Sequence, residues 1–427
     1  MTDMMRGLRY RWFVWSSMVL AYMVVFFHRL AAGVVRSQLT DTFDLSPSSF
    51  ASISAAYFFA YMIMQIPVGL LADSLGARFT VSVGMVLAGA GSILFGLAPS
   101  PSWLFLGRFI VGVGVSTVFV SILKIQSQWF REREFGTMSG LTALVGNLGG
   151  VLAQTPLAIL VGLFSWRASF MSIGTATGLI AVMCWTVIRN TPQDKGFPPI
   201  NEALSSSSPL PPVPLRTSLK RVAFNWRIWP LFVFSGCFSG VYLTISGTWG
   251  TPYLQDVYAM TIEEAASVVS YTIYGTIMGS LIMGNLSDRI GLRKTPLVIM
   301  NVLATMVWSA TVLLWKSAPP VSILRPLFFL LGFLTTSYVL SWGVIKEIND
   351  PRSTGVAIAL ANTGSFLGSA MITSLMGTAV ERLAHLPAQV RFHGALSICL
   401  AATVLGLACS LLFPETQCRN IWCDPDE

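Results

Sequence analysis

Charge is what this sequence has least of. Only 11% of its 427 residues are charged, whereas 54% are apolar. A soluble chain of this length needs more charge to cover its surface, so the composition excludes an assembly of soluble domains. All 19 Asp and Glu residues fall in predicted loops, tails or helix ends. This distribution indicates an integral membrane protein.

Residues and motifs typical of metal, redox or nucleotide chemistry are also scarce. The chain has three His and six Cys residues. Cys418 and Cys423 form the only close Cys pair, and their spacing alone supports neither a zinc site nor a structural disulfide. No Gly-x-x-x-x-Gly-Lys-Ser/Thr loop occurs, so direct use of ATP is not predicted. We therefore expect no metal, no cofactor and no enzymatic activity.

Long apolar runs are abundant. A helix needs roughly 20 apolar residues to cross a bilayer, and the chain offers twelve such runs. They lie near residues 12–35, 49–72, 79–98, 103–128, 137–163, 168–189, 228–255, 263–285, 295–315, 323–345, 355–380 and 391–413. The first run is too long for a signal-peptide core, so we expect it to remain as a helix. The prediction is an all-α membrane protein with twelve transmembrane helices.

One long polar connection divides these runs into two sets of six. Residues 190–227 are rich in serine and proline, as a linker between bundles should be. We predict an N-terminal bundle over 1–189, and a C-terminal bundle with a short tail over 228–427. Most of the 27 basic residues fall on the side of the two termini, which predicts cytoplasmic termini in the inner or plasma membrane. The net charge of +8 therefore requires no nucleic-acid partner.

An internal repeat supports this division. The segment Gly69–Arg78 recurs as Gly284–Arg293, with its Gly, Asp and Arg residues in the same places. At the same spacing along the chain, Ser139-Gly140 matches Thr354-Gly355. Matches at one constant spacing indicate two halves of one design, an arrangement that many transporters use.

These motifs resemble those of a known family. The doubled Gly-x-x-x-Asp-x-x-Gly-x-Arg loop resembles the signature of the major facilitator superfamily, and Arg108-x-x-x-Gly112-x-Gly114 resembles its fourth-helix motif. The resemblance covers essentially the whole chain. It implies two pseudo-symmetric bundles that rock about a central cavity, lined mainly by helices one, four, seven and ten. It also implies a monomer.

The resemblance further implies a latch on the cytoplasmic side, built from the two repeated loops. Asp73 and Asp288 would face the positive end of a neighbouring helix, where a carboxylate is stabilised. The basic members of the predicted latch are Arg78, Arg289 and Arg293. The first loop has Ser74 and Ala77 where the family usually has basic residues, so we expect the weaker latch there.

Arg29 is the main candidate for substrate binding. A charge inside the bilayer costs about 2.5–3.5 kcal/mol on insertion scales, so it usually marks a pathway or a partner. No carboxylate is predicted at this depth, which points to an anionic substrate. The surrounding segment, Tyr22 to Arg29, resembles the first helix of organophosphate and organic-anion transporters, which carry a substrate-binding Arg there. The alternative is that Arg29 extends to the outer membrane surface.

The seventh helix lacks the second Arg of those transporters, since Thr244 occupies the position equivalent to Arg29 in the repeat. A carboxylate or sulfonate with one charge is therefore favoured over a phosphate ester with two. The planar fork of Arg suits two oxygens of either group.

The remaining candidates each have a structural alternative. Lys124 either lines the cavity or reaches the cytoplasmic headgroups. His28 either titrates in a proton-coupled cycle or packs as a hydrogen-bonded residue. Arg108 either has a functional role or has the structural role of binding backbone carbonyls. Four aromatic residues complete the predicted site, unless they pack between helices or belong to the interfacial aromatic belt: Tyr57, Tyr61, Tyr242 and Trp249.

The sequence thus predicts a secondary transporter for a small organic anion. Uptake would be coupled to protons or driven by exchange for a counter-anion. An amino acid or short peptide would also satisfy Arg29. Export of drugs or metabolites is a further alternative, weakened by the lack of an acidic residue for cations. A non-transporting sensor on the same fold is the last alternative, and the short loops disfavour it.

Overall fold

The computed structural model describes residues 2–198, 200, 215–350 and 353–422. Within these ranges the structure does not describe the side chains of Asp73 and Asp288, among a few others. The predicted linker residues Ser205–Ser208 and the tail residue Cys423 lie outside the described ranges. The described ranges are helical, with no β-strand.

Twelve helices in the described ranges are long and apolar enough to cross a membrane. We number them in chain order, as α1 Thr2–Leu30, α2 Pro47–Leu75, α3 Ala77–Gly96, α4 Pro101–Trp129, α5 Glu132–Leu152 with Thr155–Leu163, α6 Trp166–Val187, α7 Ile228–Tyr258, α8 Ile262–Ile290, α9 Lys294–Leu314, α10 Val321–Glu347, α11 Thr354–Arg382 and α12 Ala388–Leu411. The predicted all-α fold class with twelve transmembrane helices is confirmed.

Several of these helices are irregular at positions where the continuous apolar run in the sequence predicts a regular helix. In α5 a short break follows Leu152, and the second part begins with a proline in its first turn, a position that proline tolerates. In α7 a π-helical turn covers Ile245–Trp249. Such turns are rare and frequently occur at functional sites. Helix α10 is interrupted near Thr336.

By internal contacts the chain divides into two compact units. The first comprises Met1–Ala31 and Ile63–Pro209, and the second comprises Ala32–Met62 and Leu210–Glu427. The segment 32–62, which holds the short helix Arg36–Phe43 and the first half of α2, thus groups with the C-terminal helices. The predicted bundle boundaries at 189 and 228 stay a prediction.

Small residues allow close helix contact within the first unit. A Cβ placed on Gly114 of α4 would lie 2.5 Å from the backbone nitrogen of Ala88 on α3. Only glycine permits this approach, which is the usual way that membrane helices pack. Gly112 and Gly114 are both buried in α4. These two glycines of the predicted fourth-helix motif therefore lie in the packed interior of α4.

Glycines have the same role between α7 and α11 in the second unit. A Cβ on Gly236 would lie 2.9 Å from the carbonyl oxygen of Gly364. Beside this contact, Phe234 and Phe238 pack with centroids 4.9 Å apart. The close contact fixes α7, and with it the π turn, against α11.

Candidate functional site

Arg29 lies in the last turn of α1 and is half-buried. Its guanidinium carbon is 4.9 Å from the centroid of the Phe26 ring, within the range of a cation–π contact. Phe26 in turn packs edge-on against Tyr22 at 5.1 Å. Residues 22, 26 and 29 share one face of α1 because they are spaced by four and three positions. One face of the helix end therefore carries two aromatic rings and a permanent positive charge.

A glycine on α5 makes room for this aromatic face. A Cβ on Gly146 would lie 2.6 Å from the Tyr22 ring and 3.3 Å from the Phe26 ring. Any larger residue would displace both rings. From the other side, the ring of Phe119 on α4 stacks on Tyr22 at 6.0 Å.

Two side chains from other helices hold the end of α1. Arg108, which is 2% exposed, donates from Nη1 to the carbonyl oxygen of His28 at 2.8 Å. Gln154, which lies in the break of α5, donates to the carbonyl oxygen of Leu30 at 3.1 Å. The last carbonyls of a helix have no partner within the helix, so these two bonds satisfy them and fix the backbone on both sides of Arg29.

His28 is fully buried, and its ring packs edge-on against Phe27 at 5.7 Å. Neither ring nitrogen has a hydrogen-bond partner among the described residues. The membrane spans of the first unit contain no Asp or Glu. A protonated imidazole would therefore be a buried charge without a carboxylate partner, which is costly.

Lys124 lies far from Arg29. Its amino group donates to the carbonyl oxygen of Ala72 at 2.8 Å, near the end of α2. Along α4, Lys124 is sixteen positions beyond Arg108, or about 24 Å at 1.5 Å per residue. It borders a cavity of about 320 Å³ together with Gln128 and Asn190. The structure thus does not bring Lys124 and Arg29 into one site.

The predicted aromatic residues of α2 and α7 all lie in the second unit, and Tyr61 and Trp249 contact α11. Tyr57 and Tyr61 are buried neighbours with centroids 6.1 Å apart. The Tyr61 ring stacks on Phe366 at 4.0 Å. Trp249 is fully buried in the π turn and donates from its indole to the carbonyl oxygen of Thr373 at 3.1 Å. Tyr242 is 6% exposed.

The repeat partner of Arg29 makes different contacts. Thr244 is buried, and its hydroxyl lies 3.0 Å from the hydroxyl of Thr373 on α11. Where the first unit presents a cation, the second has a hydroxyl bonded between two helices. The two halves of the repeat are therefore chemically unequal at this position.

The basic residues of the two predicted latch loops bond within their own units. Arg78 donates from its backbone to Asn190 and from Nε to the carbonyl oxygen of Trp185, both at 2.9 Å. Arg293 donates to Glu347 at 3.2 Å and to Ser287 at 3.0 Å.

Arg289 is exposed. Since the side chains of Asp73 and Asp288 lie outside what the structure describes, the latch stays a prediction.

Sequence reasoning missed the group that holds Arg29. Gln154 and Gly146 are single residues in an apolar run, and nothing local distinguishes them from packing residues. The one available signal in the sequence was the occurrence of Gln154 and Pro156 close together in an apolar run. This pair marks the break after Leu152, because both residues are unusual in the middle of a membrane helix.

Twelve membrane helices, a repeated loop motif and a cation at the end of α1 define the class as a multi-pass membrane transporter. The family model of the Major Facilitator Superfamily matches residues 17–373, and the chain belongs to that superfamily. The recognition based on the repeated loops is thereby confirmed. The protein is a transporter and not an enzyme.

Two curated relatives and one solved structure illustrate the match. The probable sulfoacetate transporter SauU of Cupriavidus necator is 22% identical over 92% of this chain and 93% of its own. The hexuronate transporter of Bacillus subtilis is 24% identical over 82% of this chain and 85% of its own. A bacterial homologue of the human lysosomal transporter Spinster, in an inward-facing unoccupied conformation, has a TM-score of 0.73 at 19% identity, covering 95% and 98% of the two chains.

Proposed function

We propose that this protein is a secondary transporter of small organic anions that carry a carboxylate or sulfonate group. The observation that carries the proposal is the placement of Arg29. Its backbone is fixed by Arg108 and Gln154, and its guanidinium lies beside the Phe26 ring. A fixed planar donor suits the paired oxygens of a carboxylate or sulfonate.

The two relatives support the same substrate chemistry. Sulfoacetate has a carboxylate and a sulfonate, and a hexuronate has a carboxylate on a sugar. SauU and the hexuronate transporter are named for these compounds. We infer that Arg29 binds the acidic group. That Tyr57, Tyr61, Tyr242 and Trp249 bind the rest of the substrate stays a prediction. Lys124 is left out of the substrate site because it bonds the end of α2.

Transport would proceed by alternating access in the inner or plasma membrane, with both termini in the cytoplasm and the protein acting as a monomer. Exchange of one anion for another is favoured over proton coupling, since His28 is buried without a carboxylate nearby. The predicted latch residues Asp73, Arg78, Asp288, Arg289 and Arg293 would hold the cytoplasmic side in one of the two states.

The test is binding and uptake with a panel of sulfonates, carboxylates, sugar phosphates, amino acids and cationic drugs. We expect one class of carboxylate or sulfonate to raise the melting temperature of the purified protein and to enter proteoliposomes. Loss of hydrogen bonds to a charged group costs about 1.5–3 kcal/mol, or roughly tenfold to a hundredfold in affinity. Arg29→Gln should therefore weaken binding at least tenfold.

Arg29→Lys keeps the charge but loses the planar fork, and should give an intermediate affinity. Arg9→Gln, which removes an exposed cation in the first turns of α1, is the matched control and should bind as the wild type does. If only cationic or neutral compounds stabilise the protein, and Arg29→Gln changes nothing, the anion proposal is wrong. Binding without uptake in the same vesicles would indicate a sensor.

A further inference from the structure

A short basic helix precedes α7 and lies outside the predicted transport site. It spans Leu215–Phe224, and the chain then reaches Ile228, the first residue of α7, within a few positions. We call residues 215–229 the linker helix region. Its sequence contains four basic residues and no acidic one: Arg216, Lys220, Arg221 and Arg227.

One face of this region is fixed to the second unit. Arg221 forms an ion pair with Asp350 at 3.1 Å, and the hydroxyl of Ser353 lies 3.1 Å from that of Ser218. Val222 is only 2% exposed. These contacts, which lie on one side of the helix, determine which side faces outward.

The side chain of Asn225 fixes the end of the region in the same way. It donates to the carbonyl oxygen of Ile348 and to the side chain of Asn349, both at 3.1 Å. The orientation of the region is therefore set by bonds from within the helix and from Asn225, the residue that follows it.

The outward face combines cations with large aromatic rings. Arg216, Lys220 and Arg227 are exposed and take part in no ion pair within the described part of the chain. Phe224 is 81% exposed and Trp226 is 63% exposed. Exposure of rings this large is unfavourable in water, so the face suits a partner that is apolar as well as anionic.

We propose that this face binds the headgroups of anionic phospholipids in the leaflet on the predicted cytoplasmic side. The region adjoins the first residue of a membrane span, so it lies at the depth of the headgroups. Basic side chains next to a membrane helix attract anionic lipid. Tryptophan and phenylalanine rings anchor a helix in the interface.

Guanidinium groups bind phosphate oxygens through paired hydrogen bonds. The chemistry of the face thus matches a phosphodiester headgroup attached to an acyl chain. This proposal uses no residue of the substrate site, so it stands or fails apart from the proposed function.

The test compares phosphatidylglycerol with phosphatidylcholine of the same chain length. For each lipid, the melting temperature of the full chain in neutral detergent is measured against lipid concentration. The midpoint is the concentration that gives half of the full rise in melting temperature. We expect phosphatidylglycerol to act at a concentration at least tenfold lower. The variant Arg216→Gln/Lys220→Gln/Arg227→Gln should lose this preference, since each basic residue contributes about fivefold. Its response to phosphatidylcholine should not change.

The matched control removes the same charge elsewhere on the predicted cytoplasmic side. Arg9→Gln/Lys346→Gln/Arg419→Gln replaces three exposed cations and should keep the preference within about threefold. If the triple linker variant does not fold, the single variant Lys220→Gln should still raise the midpoint about fivefold.

Three results would overturn the proposal. Loss of the preference in the control variant, as full as in the linker variant, would show a general effect of net charge. Stabilisation by inorganic phosphate as strong as that by the lipid would assign the face to a free anion. Equal midpoints for the two lipids in the wild type would show that the face has no anionic partner at all.

Discussion

At the scale of single residues, the end of α1 holds two neighbours with opposite environments. Arg29 is half-buried beside an aromatic ring, whereas the His28 ring is fully enclosed and has no hydrogen-bond partner among the described residues. The two side chains point in directions about 100° apart because they are consecutive in a helix. The position of His28 next to Arg29 in the sequence therefore does not indicate that His28 shares the function of Arg29.

A substitution at His28 tests its role in coupling. His28→Leu removes a ring whose nitrogens have no partner among the described residues, so no buried group loses a hydrogen bond. We expect its melting temperature and the pH profile of anion uptake to stay close to those of the wild type. Uptake measured from pH 5 to pH 8, the range in which histidine side chains ordinarily change charge, would check this.

His393→Leu is the matched control. The ring nitrogen Nδ1 of His393 lies 3.3 Å from the hydroxyl of Ser317, so this substitution should lower stability while His28→Leu does not. A pH-independent uptake in His28→Leu alone, with a pH-dependent wild type, would assign proton coupling to His28 after all.

At the scale of elements, the tail after α12 caps the start of α9. The carboxylate of Glu415 accepts hydrogen bonds from the backbone N–H groups of Arg293 at 2.8 Å, Lys294 at 3.0 Å and Thr295 at 3.3 Å. Burial raises the pKa of Glu415, but the backbone N–H groups of Arg293, Gln417, Thr295 and Lys294 outweigh it, so the pKa lies below its ordinary 4.5.

This cap makes stability depend on pH in a defined direction. A carboxyl whose pKa is lowered on folding stabilises the folded state above its unfolded pKa, and that contribution is lost as the pH falls. Glu415→Gln should lower the free energy of unfolding at pH 7 by about 0.5–2 kcal/mol, the usual cost of losing a cap. The melting temperatures of variant and wild type should converge as the pH falls below 4.5.

Glu263→Gln, an exposed residue in the first turn of α8, is the control and should keep the pH dependence of the wild type. A constant difference between Glu415→Gln and wild type from pH 7 to pH 3 would show that the cap does not titrate as described.

The elements also show what sequence could and could not predict. Apolar runs predicted all twelve spans, because the bilayer sets one length for every helix. The π turn at Ile245–Trp249 and the break at Gln154 were missed, because an apolar run has the same hydropathy whether its helix is regular or not. For Lys124 the sequence left two alternatives open, the cavity and the cytoplasmic headgroups, and its bond to the carbonyl oxygen of Ala72 places it near the end of α2.

At the scale of the whole molecule, the segment 32–62 connects the two compact units through the chain itself. It belongs by contacts to the second unit, while the residues before and after it belong to the first. Within the second unit, Arg36 pairs with Asp256 at 3.0 Å. The carboxylate of Glu381 accepts a hydrogen bond from the backbone of Ser48 at 2.9 Å. If the two repeat halves rock against each other as proposed, these contacts must break in each transport cycle.

A reversible cross-link tests this requirement. Ser48→Cys/Glu381→Cys places thiols on two accessible residues that already touch. A short bifunctional methanethiosulfonate reagent should join them and reduce uptake in proportion to the fraction linked, and dithiothreitol should restore it. The unlinked double variant is the reference, because it has lost the native hydrogen bond without gaining a bridge.

Wild type treated with the same reagent controls for the native cysteines, and each single variant treated with a monofunctional reagent of equal size controls for bulk. Substrate binding, read from the melting temperature, should persist in the linked protein, since a bridge at this contact leaves Arg29 and its supporting helices untouched. Full uptake by fully linked protein would mean that α2 and α11 stay in contact throughout the cycle. In that case the moving boundary lies elsewhere, and the grouping of 32–62 with the second unit describes a permanent domain.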